Sequence, residues 1–355
     1  MQVAEVETDA RPVARKTACA RTAVAPEISV IIPCRNESNW VLRVLEDLAQ
    51  QTFDEPFEVL VADGESDDGT WELLQDFQRT AELRYELSLL RNRQHAISNA
   101  LNLLVEHARG KYIVRVDAHS RIPREYLERI VKTLKSGVCD VAGPRIQFIP
   151  ASGRTVSRVI AAVCNTRMGN GGTPSRTALK TCVRVDHTVM SCFTRRVWEH
   201  VGGYDQALKS NEDFDYDFRA AKAGFRVLSL PNPVYMLVAR ADLSALIRQR
   251  WRYGFWKAHV LRKFPMSLKF RQLLPILVLP AALLLAFCPA YLALAGALYL
   301  LLIAASLDRN LLREQGLRPI QWAKVAALSV VVMLIVHFVW SAGVWRGLFH
   351  RNSRT

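Results

Sequence analysis

The chain has 355 residues, 50% of them hydrophobic, and a formal net charge of +14 at pH 7, so it can hold one large soluble domain with an anchor or two ordinary domains. Its mean hydropathy of +0.06 is high for a purely soluble protein and low for a polytopic transporter. Its seven cysteines include no Cys-x-x-Cys pair, which argues against a disulfide framework or a structural zinc site and favours a reducing cytoplasm for the soluble part.

Residues 1–26 mix acids and bases without an apolar core, so they do not resemble a signal peptide and are predicted to be a disordered tail. The next segment alternates short apolar runs with helical spacing. Strands are predicted at 28–33, 57–63, 85–91 and 112–117, and helices at 38–51, 70–79 and 94–109. Ser38 and Thr70 stand where helix N-caps belong. This alternation predicts βαβ units and an α/β fold with a mainly parallel sheet.

The middle of the chain continues the α/β pattern less regularly. Helices are predicted at 124–134, 195–201 and 212–223, the last closed by Gly224, and strands at 138–148 and 189–194. The signal weakens over 152–180, where the run from Gly169 to Pro174 marks a loop. We expect residues 27–240 to form one domain.

Residues 241–271 predict a basic amphipathic helix that lies in a membrane interface. Nine bases and a single acid fall between Arg240 and Arg271, and apolar residues including Trp251 and Phe255 recur every three or four positions. A solvated helix face is the plainer alternative. Nucleic-acid binding is disfavoured because no recognised nucleic-acid module accompanies the charge.

Residues 272–346 predict a transmembrane region, followed by a basic tail at 347–355. The stretch from Leu273 to Leu307 has no charged residue, and Pro289 is the expected turn of a hairpin. Residues 325–345 form a clearer single span, which gives three spans in all. The charges of the flanking residues do not decide the orientation.

Carboxylates follow several predicted strands at the edge where an open α/β sheet binds ligands. Asp63 ends the second strand in an Asp-Gly-x-Ser-x-Asp-Gly-Thr turn and could accept hydrogen bonds from a uracil edge or a ribose hydroxyl. Asp117 and His119 follow the fourth strand two residues apart, so they share one face and suit Mn2+, with Mg2+ also possible. In the plainer alternative, Asp117 caps the next segment and His119 is a surface residue.

Glu212 and Asp213 open a predicted helix. Acids in a first helical turn are ordinary because they complement the helix dipole. At the crevice of the sheet, however, Asp213 could act as a general base towards an acceptor hydroxyl. Asp215 and Asp217 are expected to face away from the site or to support it.

The ordered set of motifs resembles the inverting glycosyltransferases of family 2, which have a GT-A fold, over about residues 27–263. In that resemblance Pro33 and Glu37 belong to the first nucleotide-binding loop, Asp63 binds the nucleoside, and Asp117 and His119 hold the metal and diphosphate. Asp213 is the catalytic base beside Glu212, and Gln249, Arg252 and Tyr253 match the Gln-x-x-Arg-Trp motif for diphosphate and acceptor. His119 replaces the commoner aspartate, and Tyr253 replaces tryptophan.

A closer likeness is to succinoglycan-type exopolysaccharide glucosyltransferases, carried by Val116–His119, Asp186-His187, Gly202–Asp205 and Tyr253-Gly254. It implies a metal-dependent enzyme of the inner membrane, with a cytoplasmic catalytic domain, that passes glucose from UDP-glucose to a lipid-linked saccharide. Other polysaccharide-assembly proteins are further candidate partners. The alternatives are a processive synthase, for which few spans are predicted, and a non-enzymatic membrane scaffold. A nucleotidyltransferase is disfavoured because the loop from Pro33 to Glu37 lacks glycine.

Overall fold

A computed structural model describes residues 25–306 and 319–350, with side chains left out at 319–322. Most of the predicted N-terminal tail, residues 307–318 and residues 351–355 of the basic tail lie outside the described residues. Nine strands form one sheet. They are β1 Ile28–Cys34, β2 Phe57–Asp63, β3 Glu86–Arg91, β4 Tyr112–Arg115, β5 Ser120–Arg121, β6 Val141–Ile149, β7 Val183–Val185, β8 Cys192–Thr194 and β9 Val227–Val238.

Helices flank the sheet and then continue towards the C-terminus. The first eight are α1 Val41–Ala49, α2 Thr70–Thr80, α3 Ile97–His107, α4 Tyr126–Lys135, α5 Thr155–Asn165, α6 Arg167–Asn170, α7 Arg195–Val201 and α8 Glu212–Lys222. The later ones are α9 Leu243–Lys263, α10 Phe270–Leu285, α11 Pro289–Ser306, α12 Pro319–Leu334 and α13 Trp340–Phe349. A π-type turn, Ile335–Val339, joins α12 to α13.

The sheet has the order β3-β2-β1-β4-β8-β6-β9-β5, with β7 beside β9. Strands β1 to β4 pair in parallel, whereas β8 runs antiparallel between β4 and β6. The chain adds β2 and β3 on one side of β1 and then returns to place β4 on its other side. This reversal creates a crevice at the carboxyl ends of β1 and β4, where open α/β sheets bind ligands.

Continuous apolar strands explain why helices cover both faces. All seven residues of β1 and all seven of β2 are buried, as expected for central parallel strands. Helix α1 buries Val41, Val44, Leu45 and Leu48, which recur at three- and four-residue spacing against one face. A second core with Leu101 of α3 and Tyr216 of α8 covers the other face.

Several local predictions need correction. Helix α1 begins at Val41 with Trp40 as its N-cap, and α2 has Gly69 as its N-cap with Thr70 as the first helical residue, so Ser38 and Thr70 are not caps. Instead, the backbone N–H of Ser38 and the N–H and hydroxyl of Thr70 donate hydrogen bonds to the Asp68 carboxylate. Strand β4 ends at Arg115 instead of Asp117.

The two longest elements that were not predicted are α5 and β9. Helix α5 lies within the stretch of weak signal, and β9 is twelve residues long although it contains Pro231 and Pro233. The register of β9 against β6 shifts between Gly143, which pairs with Ser229, and Arg145, which pairs with Val234. The two prolines therefore lie where the pairing of β9 with β6 is irregular, and this part of the ladder does not require the N–H groups that proline lacks.

Helix α9 packs against α13 with almost no space between the backbones. A Cβ atom on Gly254 would lie 2.1 Å from the carbonyl oxygen of Trp340, and one on Gly343 would lie 2.5 Å from that of Trp251. The Arg262 guanidinium also donates to the carbonyl of Gly347 at 2.7 Å. The basic helix is thus one half of a helix pair that joins the sheet domain to the apolar C-terminal region.

In the described residues four apolar helices, α10 to α13, follow α9, and the predicted break at Pro289 is confirmed because α11 begins there. By length and composition two helices could cross a membrane, Pro289–Ser306 and Ala323–Phe349. Helix α10 has 16 residues. At 1.5 Å per residue such a helix is about 24 Å long, short of the roughly 30 Å hydrocarbon core. Of the three predicted spans, two therefore correspond to helices that are long enough to cross a membrane.

Candidate active site

A large cavity opens at the crevice between β1 and β4 and extends to the apolar helices. Its volume is about 1060 Å³. Nine of the ten predicted site residues line it: Pro33, Glu37, Asp117, His119, Glu212, Asp213, Gln249, Arg252 and Tyr253. Residues that are distant in sequence are thus brought into one cleft, which is the arrangement that a transfer reaction between two substrates needs.

The loops after β1 and β2 hold each other in place at one end of the cavity. The backbone N–H of Asn36 donates to Ser66 Oγ at 2.8 Å, and Asn36 Oδ1 accepts from the N–H of Asp67 at 3.1 Å. The N–H of Glu37 donates to Thr70 Oγ1 at 2.9 Å. The Asp-Gly-x-Ser-x-Asp-Gly-Thr turn therefore fixes the loop that presents Glu37.

Asp63 is the predicted residue that does not line the cavity. Its side chain is fully buried, and it accepts hydrogen bonds from Ser66 Oγ at 2.5 Å and from Arg91 at 3.1 Å. Because β2 lies between β1 and β3, its last side chain is enclosed by its own turn and by β3. The neighbouring Gly64 reaches the cavity instead.

Glu37 and His119 meet where the strand order reverses. His119 Nδ1 lies 2.9 Å from Glu37 Oε1, and both side chains are about four-fifths buried. Metal-binding histidines commonly donate one ring N–H to a carboxylate, which fixes the tautomer and leaves the other nitrogen for the metal. Glu37 thus orients His119 so that Nε2 is the available ligand atom.

Asp117 lies beside His119 in the connection between β4 and β5. Its backbone N–H donates to the Tyr235 hydroxyl at 2.7 Å, and its Oδ1 accepts from Arg115 Nε at 3.1 Å. Throughout the part of the chain that the structure describes, no three His, Cys, Asp or Glu side chains cluster as a metal site. Asp117 and His119 fit a divalent cation only if a substrate diphosphate and water supply further oxygen ligands.

Arg115 was not singled out in the sequence, yet it is central to the site. Its side chain is 4% exposed and contacts Asp117 at 3.1 Å and Glu212 at 3.3 Å. Burial alone would lower the pKa of Arg115, but the carboxylates of Asp117 and Glu212 raise it well above its ordinary value. The guanidinium therefore stays charged and connects the end of β4 to the start of α8.

Glu212 and Asp213 differ in environment although they are adjacent. Burial, followed by the charge of Asp213, raises the pKa of Glu212 to about 7 against the opposing effect of Arg115. Asp213 is only partly buried, lines the cavity and accepts a hydrogen bond from the N–H of Phe214 at 2.7 Å. The exposed member of the pair is thus the one placed to meet a substrate.

Asp215 and Asp217 are fully buried and lie outside the cavity lining. Asp215 contacts Arg219 and Lys263, each at 2.7 Å. Asp217 contacts His187 Nδ1 at 3.0 Å and accepts from Ser191 Oγ at 2.7 Å. Together they fix α8 against α9 and against the segment before β8.

The Gln-x-x-Arg-Tyr segment of α9 is tied directly to the start of α8. Asn211 Nδ2 donates to the Tyr253 carbonyl at 3.1 Å, and the side chains of Gln249 and Tyr253 are hydrogen-bonded at 3.2 Å. The Arg252 guanidinium lies 6.0 Å from the centre of the Tyr253 ring. These contacts bring Asp213 to the same wall as Gln249 and Arg252.

Several of the bases between Arg240 and Arg271 are paired with acids or buried, so they are not all free to face a membrane surface. Lys263 is paired with Asp205 and Asp215, and Lys269 is paired with Asp186. Arg250 and Lys257 are buried, 9% and 3% exposed, and both line the cavity. Much of this charge therefore faces the interior of the protein.

Because Lys257 is buried, we expect the stability of the folded protein to depend on pH in an unusual way. Within the described residues its Nζ has no hydrogen-bond partner, and burial lowers its pKa from 10.5 to about 7. The folded protein thus binds fewer protons than the unfolded chain between those pH values, so stability should rise with pH across that window. The corresponding destabilisation at pH 6 is about 5 kcal/mol at most.

We expect Lys257→Met to raise the melting temperature of the detergent-solubilised protein most at pH 6 and progressively less towards pH 10. The same charge removal at the exposed Lys132, which lies on α4, should change it little at any pH. A gain from Lys257→Met that is constant from pH 6 to pH 10 would contradict the assignment.

Comparisons with known proteins identify the family and the fold. Residues 29–199 match the profile described as Glycosyl transferase family 2. Succinoglycan biosynthesis protein ExoA of Rhizobium meliloti is 30% identical over 331 residues, covering 92% of the chain and 96% of that protein. Glycosyltransferase AglE of Haloferax volcanii is 28% identical, covering 66% of the chain and 73% of that protein.

Among solved structures, the mannosyltransferase PcManGT of Pyrobaculum calidifontis, in complex with GDP-Man and Mn2+, superposes with a TM-score of 0.56. The match covers 93% of the chain and 89% of that protein at 19% identity. At this identity the likeness supports the fold alone.

Proposed function

The chain belongs to glycosyltransferase family 2, among its succinoglycan-type members, and on that premise we propose that it transfers glucose from UDP-glucose to a lipid-linked saccharide. It is a glycosyltransferase of exopolysaccharide or related glycan biosynthesis. The observation that carries the finer proposal is the single cavity in which Asp117, His119 and Asp213 meet, with Arg115 between Asp117 and the start of α8.

The donor would bind at the crevice between β1 and β4. Pro33 and Glu37 would border the nucleotide. Asp63, buried behind the cavity lining, would support this end of the cavity by accepting hydrogen bonds from Ser66 and Arg91. Ten Lys or Arg side chains and four Asp or Glu side chains line the cavity, which suits an anionic donor.

Asp117 and His119 would hold a divalent cation, Mn2+ or Mg2+, with His119 oriented by Glu37. Bound there, the cation would neutralise charge that develops on the leaving diphosphate. Arg115 holds Asp117 in place, because its guanidinium donates a hydrogen bond to the Oδ1 atom.

Asp213 would remove the proton from the acceptor hydroxyl as that oxygen forms its bond to the anomeric carbon. The bond from this carbon to the diphosphate breaks on the opposite face, so the configuration inverts and UDP leaves. Arg252 would contact the leaving diphosphate, since a planar guanidinium matches phosphate oxygens. Glu212, Gln249 and Tyr253 would position the acceptor around Asp213.

We further propose that residues 27–240 form the catalytic domain at the cytoplasmic face of the inner membrane, that 241–271 lie at the interface and that 272–346 anchor the chain in several passes. Exposed apolar side chains on α10 and α11, such as Leu284 at 71% exposure, support contact with lipid.

The test is transfer by membranes that contain the full chain. They would be incubated with a panel of radiolabelled nucleotide sugars and a lipid extract, with and without Mn2+. We expect label to enter the lipid fraction from UDP-glucose only, and only with the cation. Transfer from another nucleotide sugar would contradict UDP-glucose as the donor. Label that appears in water-soluble product alone would contradict a lipid-linked acceptor.

The Glu37–His119 contact predicts a specific metal defect. Glu37→Gln should raise the Mn2+ concentration needed for half-maximal activity about 10–100-fold, since the partners that orient metal ligands typically contribute that much. Glu65→Gln is a matched control, because Glu65 forms a similar pair with the half-exposed His95 at 3.3 Å. A loss of activity by Glu37→Gln that excess Mn2+ does not restore would argue against metal orientation.

A further inference from the structure

The cavity carries more positive charge than one nucleotide sugar requires, and part of it lies away from the donor end. Lys257 is 97% buried, since only 3% of it is exposed, and Arg250 is 9% exposed on the same face of α9, seven residues earlier. Neither the Lys257 Nζ atom nor the Arg250 Nε atom has a hydrogen-bond partner in the described part of the chain. Unpaired buried cations are costly, so such a pair indicates an anionic ligand.

Arg176 adds a third cation from the turn after α6. Its Nε atom is buried and lacks a partner among the residues that the structure describes. Arg176 lines the same cavity as Arg250 and Lys257. Burial, followed by the positive charge of Arg250, lowers the pKa of Arg176, so a bound anion would favour the charged form of this side chain.

The surroundings of these cations favour an anion that arrives on a lipid. Arg250 Nη2 lies 3.2 Å from Cys164 Sγ on α5, and the core of α5 includes Val332 and Val336 of the apolar C-terminal region. Val336, His337 and Trp340 line the same cavity as Arg250 and Lys257. The Asp117–His119 pair, by contrast, lies at the crevice of the sheet.

We propose that Lys257, Arg250 and Arg176 form a second anion site that binds the diphosphate group of the lipid-linked acceptor. This inference rests on the proposed function, because it assigns the acceptor side of the same cavity. The site would hold the lipid headgroup near the apolar helices while its saccharide reaches Asp213. The Phe214 ring, which follows Asp213, lies 3.8 Å from Lys257 Nζ and connects the two regions.

The test uses the full chain in phosphatidylcholine nanodiscs, titrated calorimetrically with EDTA present. The probes are farnesyl diphosphate, inorganic diphosphate, farnesol and, separately, UDP. The variants are Lys257→Met and Arg250→Met, with Lys132→Met as the control because Lys132 is an exposed lysine outside the cavity lining. Thermal unfolding of each variant would verify that it is folded.

We expect wild type to bind farnesyl diphosphate more tightly than inorganic diphosphate and not to bind farnesol. Each cavity variant should weaken farnesyl diphosphate binding by about tenfold or more while UDP affinity changes less than about twofold. Lys132→Met should bind like wild type.

Three results would overturn the inference. Equal losses of UDP and farnesyl diphosphate affinity would assign the cations to the donor, and unchanged affinities would exclude the site. Farnesyl diphosphate bound no more tightly than inorganic diphosphate would make the ligand a soluble anion. Failure of the proposed function is distinguishable, because wild type would then lack nucleotide-sugar turnover whatever its affinity for farnesyl diphosphate.

Discussion

Replacing Asp213 by Asn is expected to reduce sugar transfer by about 10²–10⁴-fold, the usual contribution of a general base. The amide keeps the shape of the side chain and its contact with the Phe214 N–H, but it cannot accept a proton from the acceptor hydroxyl. Donor binding should change less than about twofold, since Asp213 lies on the α8 wall while the donor crevice is at β1 and β4. Initial rates of transfer and UDP titration measure the two effects separately.

Asp76→Asn is the matched control, because Asp76 is an exposed aspartate on α2 that pairs with Arg79, away from the cavity lining. It should leave both transfer and UDP affinity unchanged. Transfer at the wild-type rate by Asp213→Asn would remove Asp213 from the mechanism. If Asp213→Asn lost UDP affinity as strongly as it lost transfer activity, Asp213 would instead belong to the donor-binding site.

Replacing Arg115 by Met is expected to destabilise the folded protein by about 3–5 kcal/mol, as is usual when one partner of a buried ionic group is removed. The change leaves Asp117 and Glu212 without their shared cation in a region where Arg115 is only 4% exposed. Glu212 should then take up a proton more readily, because its opposing positive neighbour is gone. Thermal and denaturant unfolding of the detergent-solubilised chain would measure the loss.

Arg79→Met tests whether burial is the reason that Arg115→Met destabilises the protein. Arg79 and Asp76 form an exposed pair at 2.7 Å, and exposed pairs contribute about 0–1 kcal/mol. The double variant Arg115→Met with Glu212→Gln should recover part of the lost stability, because it removes one of the two unpaired carboxylates. Equal effects of Arg115→Met and Arg79→Met would show that Arg115 is not a structural ion partner.

The parts of the fold that the sequence predicts well are those with strong local patterns. The apolar runs of β1 and β2 and the acidic turns that follow them are local features, and so their positions were anticipated within one or two residues. Strand β9 was missed because its prolines argue against a strand, and only the irregular pairing with β6 accommodates them. The N-caps were misplaced because Asp68 draws Ser38 and Thr70 into the loop contacts instead.

The sequence predicts the carboxylates of the site and Arg252, but not the buried cations Arg115, Arg250 and Lys257. Arg115 is inconspicuous inside a short apolar strand, and only the folded chain brings Glu212 within 3.3 Å of it. Lys257 was counted with a basic collar, although its spacing of seven from Arg250 already places the two on one helix face. Which face is buried depends on the contact of Gly254 with α13, and no local pattern reveals such a contact.

The close contact between α9 and α13 has a consequence for biosynthesis. Trp340, from the last helix that the structure describes, lines the cavity whose first wall is formed by residues 33–37. The reaction chamber is therefore incomplete until residue 340 has been synthesised and can pack against α9. A premature stop codon upstream of Trp340 should yield an inert protein even if its sheet folds.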